Sequence, residues 1–196
     1  MTNLDQQLKL AEAIKIASAA HAHQLDKGGF AYILHPLRVM ANLNSRDPEL
    51  CQIAILHDVV EDCVKFLLEQ HYKKKDFENY KTIVKNIIRN SSPEEKVEQA
   101  LEVLRQLGFS ERVLAGLKLM TKKSTDKGDE GYFAYVERML SNYDAIRVKL
   151  ADLRDNMDAT RLKGYTEKDC ARTVKYMKAF GILDNARKLF EEQYGL

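Results

Sequence analysis

The sequence predicts an all-α protein. Helix breakers are scarce, with three prolines and nine glycines in 196 residues, while Ala, Leu, Lys and Glu are plentiful. Apolar residues recur at three- and four-residue spacing, and no segment shows the strict alternation of a half-buried strand. Starts and stops of helices are also written out, in pairs such as Asp47-Pro48 and Ser92-Pro93 and in glycines such as Gly108. The length suits one domain with a real core.

The first helix runs from about 4 to 22, where Leu8, Ala11, Ile14, Ala17 and Ala20 repeat at helical spacing. Asp26-Lys27-Gly28-Gly29 is a turn signal. In Phe30-Ala31-Tyr32-Ile33-Leu34-His35-Pro36 the proline biases His35 away from helical backbone and suits the first turn of a second helix ending near Asn44. His35 is therefore expected just ahead of that helix. Asp47 as N-cap and Pro48 in the first position open a third, which runs through the apolar Cys51-Gln52-Ile53-Ala54-Ile55-Leu56 into His57-Asp58-Val59-Val60-Glu61-Asp62.

The span from about 64 to 99 is rich in Lys, Tyr and Asn and reads as a helical insertion within the single domain 1–196. Its Lys73-Lys74-Lys75 is expected on a solvated face, and the insertion itself is expected to cover or reshape the site. Ser91-Ser92-Pro93-Glu94-Glu95 restarts a helix, Gly108 stops it, and Ser110 caps another over 111–120. A polar loop over 121–131 carries Lys122, Lys123 and Lys127, followed by helices over 132–140 and 145–160. The last helix, about 166–194, repeats Val174, Met177, Phe180, Leu183, Ala186 and Phe190, which read as core.

Composition excludes several classes. The 31 basic and 29 acidic residues leave a net charge of +2, which argues against a nucleic-acid or membrane electrostatic binder. No apolar run approaches the roughly 20 residues of a membrane span and no signal region is visible, so a soluble cytoplasmic protein without a membrane partner is expected. Cys51, Cys63 and Cys170 form no Cys-x-x-Cys pair, so neither a disulfide framework nor a structural zinc site is indicated. P-loop, dinucleotide-binding, serine-hydrolase and zincin motifs are absent from the sequence. Oligomeric state is not legible, and a homo-oligomer is left open.

The chemistry concentrates at residues 57–62. On a helix His57 and Glu61 share a face, as do Asp58 and Asp62. Three carboxylates and a histidine directly after an apolar turn are costly to desolvate unless a cation or hydrogen bonds offset the charge. The plainer alternative is a solvated helix end with a chance histidine. His35, His57, Asp58 and Asp152 together offer two imidazoles and two carboxylates from three helices. Such a nitrogen and oxygen set suits one divalent first-row ion in octahedral geometry, manganese first, with Fe2+, Co2+, Ni2+ or Zn2+ as alternatives. Taken singly, His35 also reads as a core histidine and Asp152 as an ion-pair partner of Lys149 or Arg154.

Three ordered blocks carry a family resemblance: His21-Ala22-His23-Gln24 with Gly29 to Pro36, then His57 to Asp62, then Val148-Lys149-Leu150-Ala151-Asp152 through Asn156. In these blocks the chain resembles the HD-domain metal-dependent phosphohydrolases, in particular the hydrolase domain of RelA/SpoT alarmone enzymes and their small single-domain relatives. The resemblance implies an HD-type helical bundle with a metal on His35, His57, Asp58 and Asp152. It implies that Glu61 and Asp62 orient or deprotonate the attacking water, and that Asn156 contacts the substrate. Lys27 and Lys149 are the phosphate-binding residues expected among Lys27, Arg38, Lys122, Lys123, Arg147 and Lys149. The implied substrate is a nucleotide, guanosine 3′,5′-bis(diphosphate), cleaved to GDP and pyrophosphate.

Departures bear on that substrate. Where these hydrolases carry an arginine that packs on guanine, this chain has Asp26, which leaves an acceptor for a base edge or sugar; Ala31 and Cys63 are milder changes. Another nucleotide or phosphorylated cofactor is therefore the alternative substrate, and a non-catalytic nucleotide-binding module the alternative class.

Overall fold

In the computed structural model, which describes residues 2–75 and 78–195, the described residues form ten α-helices and no named strand. They are α1 (Asn3–Ala20), α2 (Leu34–Asn42), α3 (Pro48–Asp62), α4 (Val64–Lys74), α5 (Tyr80–Asn90), α6 (Pro93–Gln106), α7 (Glu111–Met120), α8 (Gly128–Met139), α9 (Tyr143–Met157) and α10 (Glu167–Tyr194), with a short 3-10 turn at Ala159–Arg161. The all-α expectation is met. No helix among the described residues is long and apolar enough to cross a membrane.

The bundle is built around α3, which packs against α1, α2, α7 and α9. Its apolar turns, including Leu50, Ile53, Ala54, Leu56 and Val60, are closed off from solvent on every side. The partner helices approach closely: a Cβ on Gly116 of α7 would lie 2.5 Å from Ile53 Cδ1. Local signals set the ends. The Asp47 carboxylate accepts from the amides of Glu49 and Leu50, with Pro48 in the first turn. Ser92 and Glu95 form a reciprocal capping box on α6, and Thr166 and Asp169 another on α10. Gly108, at φ +85°, reverses the chain after α6 in a conformation open to glycine at little cost.

Several boundaries and faces differ from the sequence expectation. Helix α2 begins at Leu34, so His35 lies within the helix and Pro36 in its first turn. Proline is tolerated there because its missing N–H would have no intrahelical partner in any case. On α1 the buried line is Ala13 and Ala17, while Leu8 is 62% exposed. Helix α8 starts at Gly128, inside the expected loop, and α9 ends at Met157 before the 3-10 turn. On α10 Leu183 is buried, but Val174 and Met177 are 54% and 63% exposed and so are not core. The 64–99 span holds α4, α5 and the start of α6, which pack on one another, with residues 76–77 outside the described residues.

Candidate metal centre

Side chains from α2, α3 and α9 meet at the floor of a cleft of about 330 Å³. Within it, ligand atoms of His35, His57 and Asp58 all lie within 4.8 Å of one another. Nε2 of His35 is 3.4 Å from Asp58 Oδ2 and 3.2 Å from Asp152 Oδ1. Nε2 of His57 is 3.2 Å from Asp58 Oδ1 and 3.9 Å from Asp152 Oδ1. The adjacent His57 and Asp58 reach the same point although they leave α3 about 100° apart, because α2 and α9 both pack against that helix.

Each histidine is fixed through Nδ1. In His57, Nδ1 bonds the Ala54 carbonyl one turn earlier, at 2.8 Å. A carbonyl only accepts, so Nδ1 carries the proton and Nε2 the lone pair in the neutral ring. That Nε2 is buried without a hydrogen-bond partner. A buried, unpartnered lone pair is costly in a protein interior unless a ligand completes it, and a divalent ion held by His35, His57 and Asp58 would do so. The residues present therefore fit a metal. In His35, Nδ1 is 2.6 Å from Asp155 Oδ2. Burial disfavours its charged form, but hydrogen bonds to Asp152 and Asp155 outweigh burial and raise its pKa to about 9.

The carboxylates are tied as well. The Tyr32 hydroxyl donates to Asp58 Oδ2 at 2.8 Å. Burial and the Asp58 carboxylate hold the Tyr32 phenol protonated, so it remains the donor. Asp152 accepts from Lys149 Nζ at 2.7 Å and from Asn156 Nδ2 at 2.5 Å. Burial works against its charge, yet the Lys149 ammonium and His35 keep its pKa well below the usual carboxylate range. Lys149, expected at the substrate, thus lines the cleft with its ammonium committed to Asp152. Asn156 and the exposed Lys27 line the cleft too.

Glu61 and Asp62 stand on the wall above the cluster. Glu61 Oε1 is 2.7 Å from Lys122 Nζ, and that ammonium lies 5.6 Å over the Tyr135 ring. Desolvation on the cleft side, with the carboxylates of Asp58 and Glu61, pushes the Asp62 pKa up, and Lys122 opposes the rise. Lys27, Lys122, Lys149, Arg161 and Arg172 line the cleft beside six carboxylates, so it carries both charges, with Lys122 and Lys149 ion-paired to Glu61 and Asp152. Of the other cations considered from sequence, Arg38 bonds Asp155 and Arg147 lies over Tyr143, and neither they nor Lys123 line the cleft.

Two expectations about the surroundings are corrected. Among the described residues, none from 64–99 lines the cleft. One indirect link runs through Glu94, which accepts from Ser124 on the segment carrying Lys122. Asp26 is not free to read a base: its carboxylate accepts from the amides of Gly28 and Phe30, both at 2.9 Å, and from Arg161. Sequence reasoning missed Asp155, Arg161 and Tyr32 as partners of the cluster. Asp155 had a signal, since it lies three residues after Asp152 on the same helix and thus near the same face.

No family model matches the chain. Over 68 residues it is 38% identical to the guanosine-3′,5′-bis(diphosphate) 3′-pyrophosphohydrolase of Vibrio cholerae. The match takes in 32% of this chain and 10% of the Vibrio protein, so the chain spans about a tenth of that relative's length.

Proposed function

We propose that this chain is a divalent-metal-dependent nucleotide phosphohydrolase of the HD type, with the 3′-pyrophosphate of guanosine 3′,5′-bis(diphosphate) as the first bond to test. The observation that carries the reading is the His35, His57 and Asp58 cluster, with its unpartnered His57 Nε2, at the floor of a cleft that Lys27 and Lys122 also line. The partial similarity to a pyrophosphohydrolase supports the substrate class. His35, His57, Asp58 and Asp152 would hold the ion, with manganese the first to try. The ion would supply water activation at neutral pH and polarisation of a phosphoryl oxygen.

The chain's own residues do the rest. Asp62, whose proton affinity is raised, suits the acceptance of a proton, and Glu61 suits the positioning of the attacking water. Lys122 and Lys27 would meet phosphate oxygens, while Lys149 keeps Asp152 ionised and in place. Asn156, hydrogen-bonded to Asp152 and at the cleft surface, is the side chain assigned to the substrate.

One observation favours a second reading in which the base is not guanine. The position expected to stack on guanine is Asp26, whose carboxylate is consumed by its own turn and Arg161. The test is a panel of phosphorylated nucleotides and phosphorylated cofactors offered to the Mn2+-loaded chain, with Asp58→Ala as blank. Release of pyrophosphate from the guanosine substrate, at least a hundredfold above the blank, is expected. Turnover of a different member alone would select the second reading. Tight nucleotide binding with no turnover anywhere would replace the enzyme by a binding module.

A further inference from the structure

Resting on that metal-dependent reading, we infer that Asp155 is the positioning residue that aims His35 Nε2 into the cluster, while Arg38 and Arg161 anchor its carboxylate in the fold. The two histidines are oriented by different means. His57 uses the Ala54 carbonyl of its own helix, a contact that forms whenever α3 forms. His35 uses a carboxylate 120 residues away on α9, a contact that exists only when α2 and α9 are packed. Its ring orientation is therefore set by tertiary structure, and on the Nδ1 side by one residue.

Asp155 is built to hold that orientation. Its side chain is 3% exposed, and every approach to it is occupied. Arg38 Nε meets Oδ1 at 2.6 Å, Arg161 Nη1 meets Oδ2, and Arg161 Nη1 also bonds the Asp155 carbonyl at 2.6 Å. A carboxylate held on both oxygens cannot swing away. If the His35 ring flipped, carbon would replace Nδ1–H against Oδ2, and a buried charged hydrogen bond would be lost. A carboxylate on the far nitrogen also strengthens the near nitrogen as a donor to a cation, the arrangement by which outer partners tune metal sites.

The same two guanidiniums reach Asp26, from Arg161 Nη2 at 3.4 Å and Arg38 Nη2 at 3.8 Å. Asp26 in turn caps the turn that carries Lys27. Two buried carboxylates and two arginines thus lock the cleft-side turn to the histidine. The competing account is an ion network that serves stability alone, which such networks often do weakly or not at all.

Mn2+ affinity by chelator competition, the His35 Nδ1–H resonance in 15N-histidine-labelled metal-free protein, and the melting temperature separate the two. For Asp155→Asn, near-isosteric, Mn2+ affinity is expected to fall by about 10- to 100-fold. The native chain is expected to show a downfield, slowly exchanging Nδ1–H signal, and in Asp155→Asn that signal is expected to shift upfield or broaden away. Arg161→Gln keeps the Asp155–His35 bond, so it should lower the melting temperature while leaving the signal in place and changing Mn2+ affinity far less. Unchanged Mn2+ affinity in Asp155→Asn, whatever its melting temperature, overturns the assignment. Equal losses of affinity in both variants overturn it as well, because they mark general destabilisation. Failure of the native chain to bind Mn2+ or any other divalent ion instead overturns the metal reading on which the inference stands.

Discussion

Tyr132 and Tyr135 lie one turn apart on α8, both buried, and their hydroxyls are treated differently. The Tyr135 hydroxyl donates to the Met120 carbonyl at 2.5 Å, pinning the end of α7 to α8. The Tyr132 hydroxyl is buried with no partner. A satisfied buried hydroxyl contributes about 1 kcal/mol, and its removal strands the acceptor; an unsatisfied one contributes nothing and costs its desolvation. Tyr135→Phe is therefore expected to destabilise the free chain by about 1–2 kcal/mol, and Tyr132→Phe to leave stability unchanged or slightly raised. Urea denaturation of both variants reads the difference. A loss for Tyr132→Phe equal to that for Tyr135→Phe would mean that its hydroxyl has an internal partner after all. At this scale the sequence was legible where chemistry is local. His57, Asp58, Glu61 and Asp62 announce themselves in six residues, whereas Arg161 follows a helix end with no pattern around it, and its link from Asp155 to Asp26, 135 residues away, exists only in the folded chain.

Among elements, the 121–127 connection between α7 and α8 carries Lys122 to the cleft and is tied down at two points. Ser124 donates to Glu94, and Asp126 takes both terminal nitrogens of Arg138, at 2.8 and 2.5 Å. The Arg138 guanidinium holds the Asp126 carboxyl below its ordinary range, with burial opposing. A depressed carboxylate contributes stability that is present above the unfolded pKa of about 4 and disappears as pH falls through the lower folded value. Asp126→Asn is expected to cost about 2 kcal/mol at pH 7 and to flatten the acid limb of stability below about pH 4. Denaturation midpoints from pH 7 down to pH 2 measure both; an acid limb parallel to that of the native chain would remove this pair as its source. The polar loop expected from sequence is shorter because α8 starts at Gly128, and sequence polarity does not register the Asp126–Arg138 anchor that fixes where the loop must end. Helix α10 teaches the complementary point. Its apolar period is right, yet α10 packs on α8 and α9, and Val174 and Met177 repeat on a face that no described residue covers.

At the scale of the whole molecule, the cluster draws His35 from α2, His57 and Asp58 from α3, and Asp152 from α9, so its geometry exists only in the packed bundle. The fold class and the spacing of the blocks were legible because helix caps and apolar periods are local. The role of the 64–99 span was not, because a stretch of unusual composition says nothing about which side of α3 it packs on. A ligand that requires three helices in place binds the folded chain and has little affinity for the unfolded one, which turns binding energy into stability. At Mn2+ one hundred times its Kd the gain is about 2.7 kcal/mol. For a chain of this size, about 2–4 °C per kcal/mol translates that gain into a rise in melting temperature of about 5–11 °C. Differential scanning fluorimetry across a Mn2+ titration reads the rise, and its growth with the logarithm of concentration identifies mass action. His57→Ala and Asp58→Asn are each expected to abolish it, whereas Val174→Lys, on the uncovered face of α10, leaves it intact. A native chain whose melting temperature ignores Mn2+, Fe2+, Co2+, Ni2+ and Zn2+ alike would leave the unpartnered His57 nitrogen without a metal to answer for it.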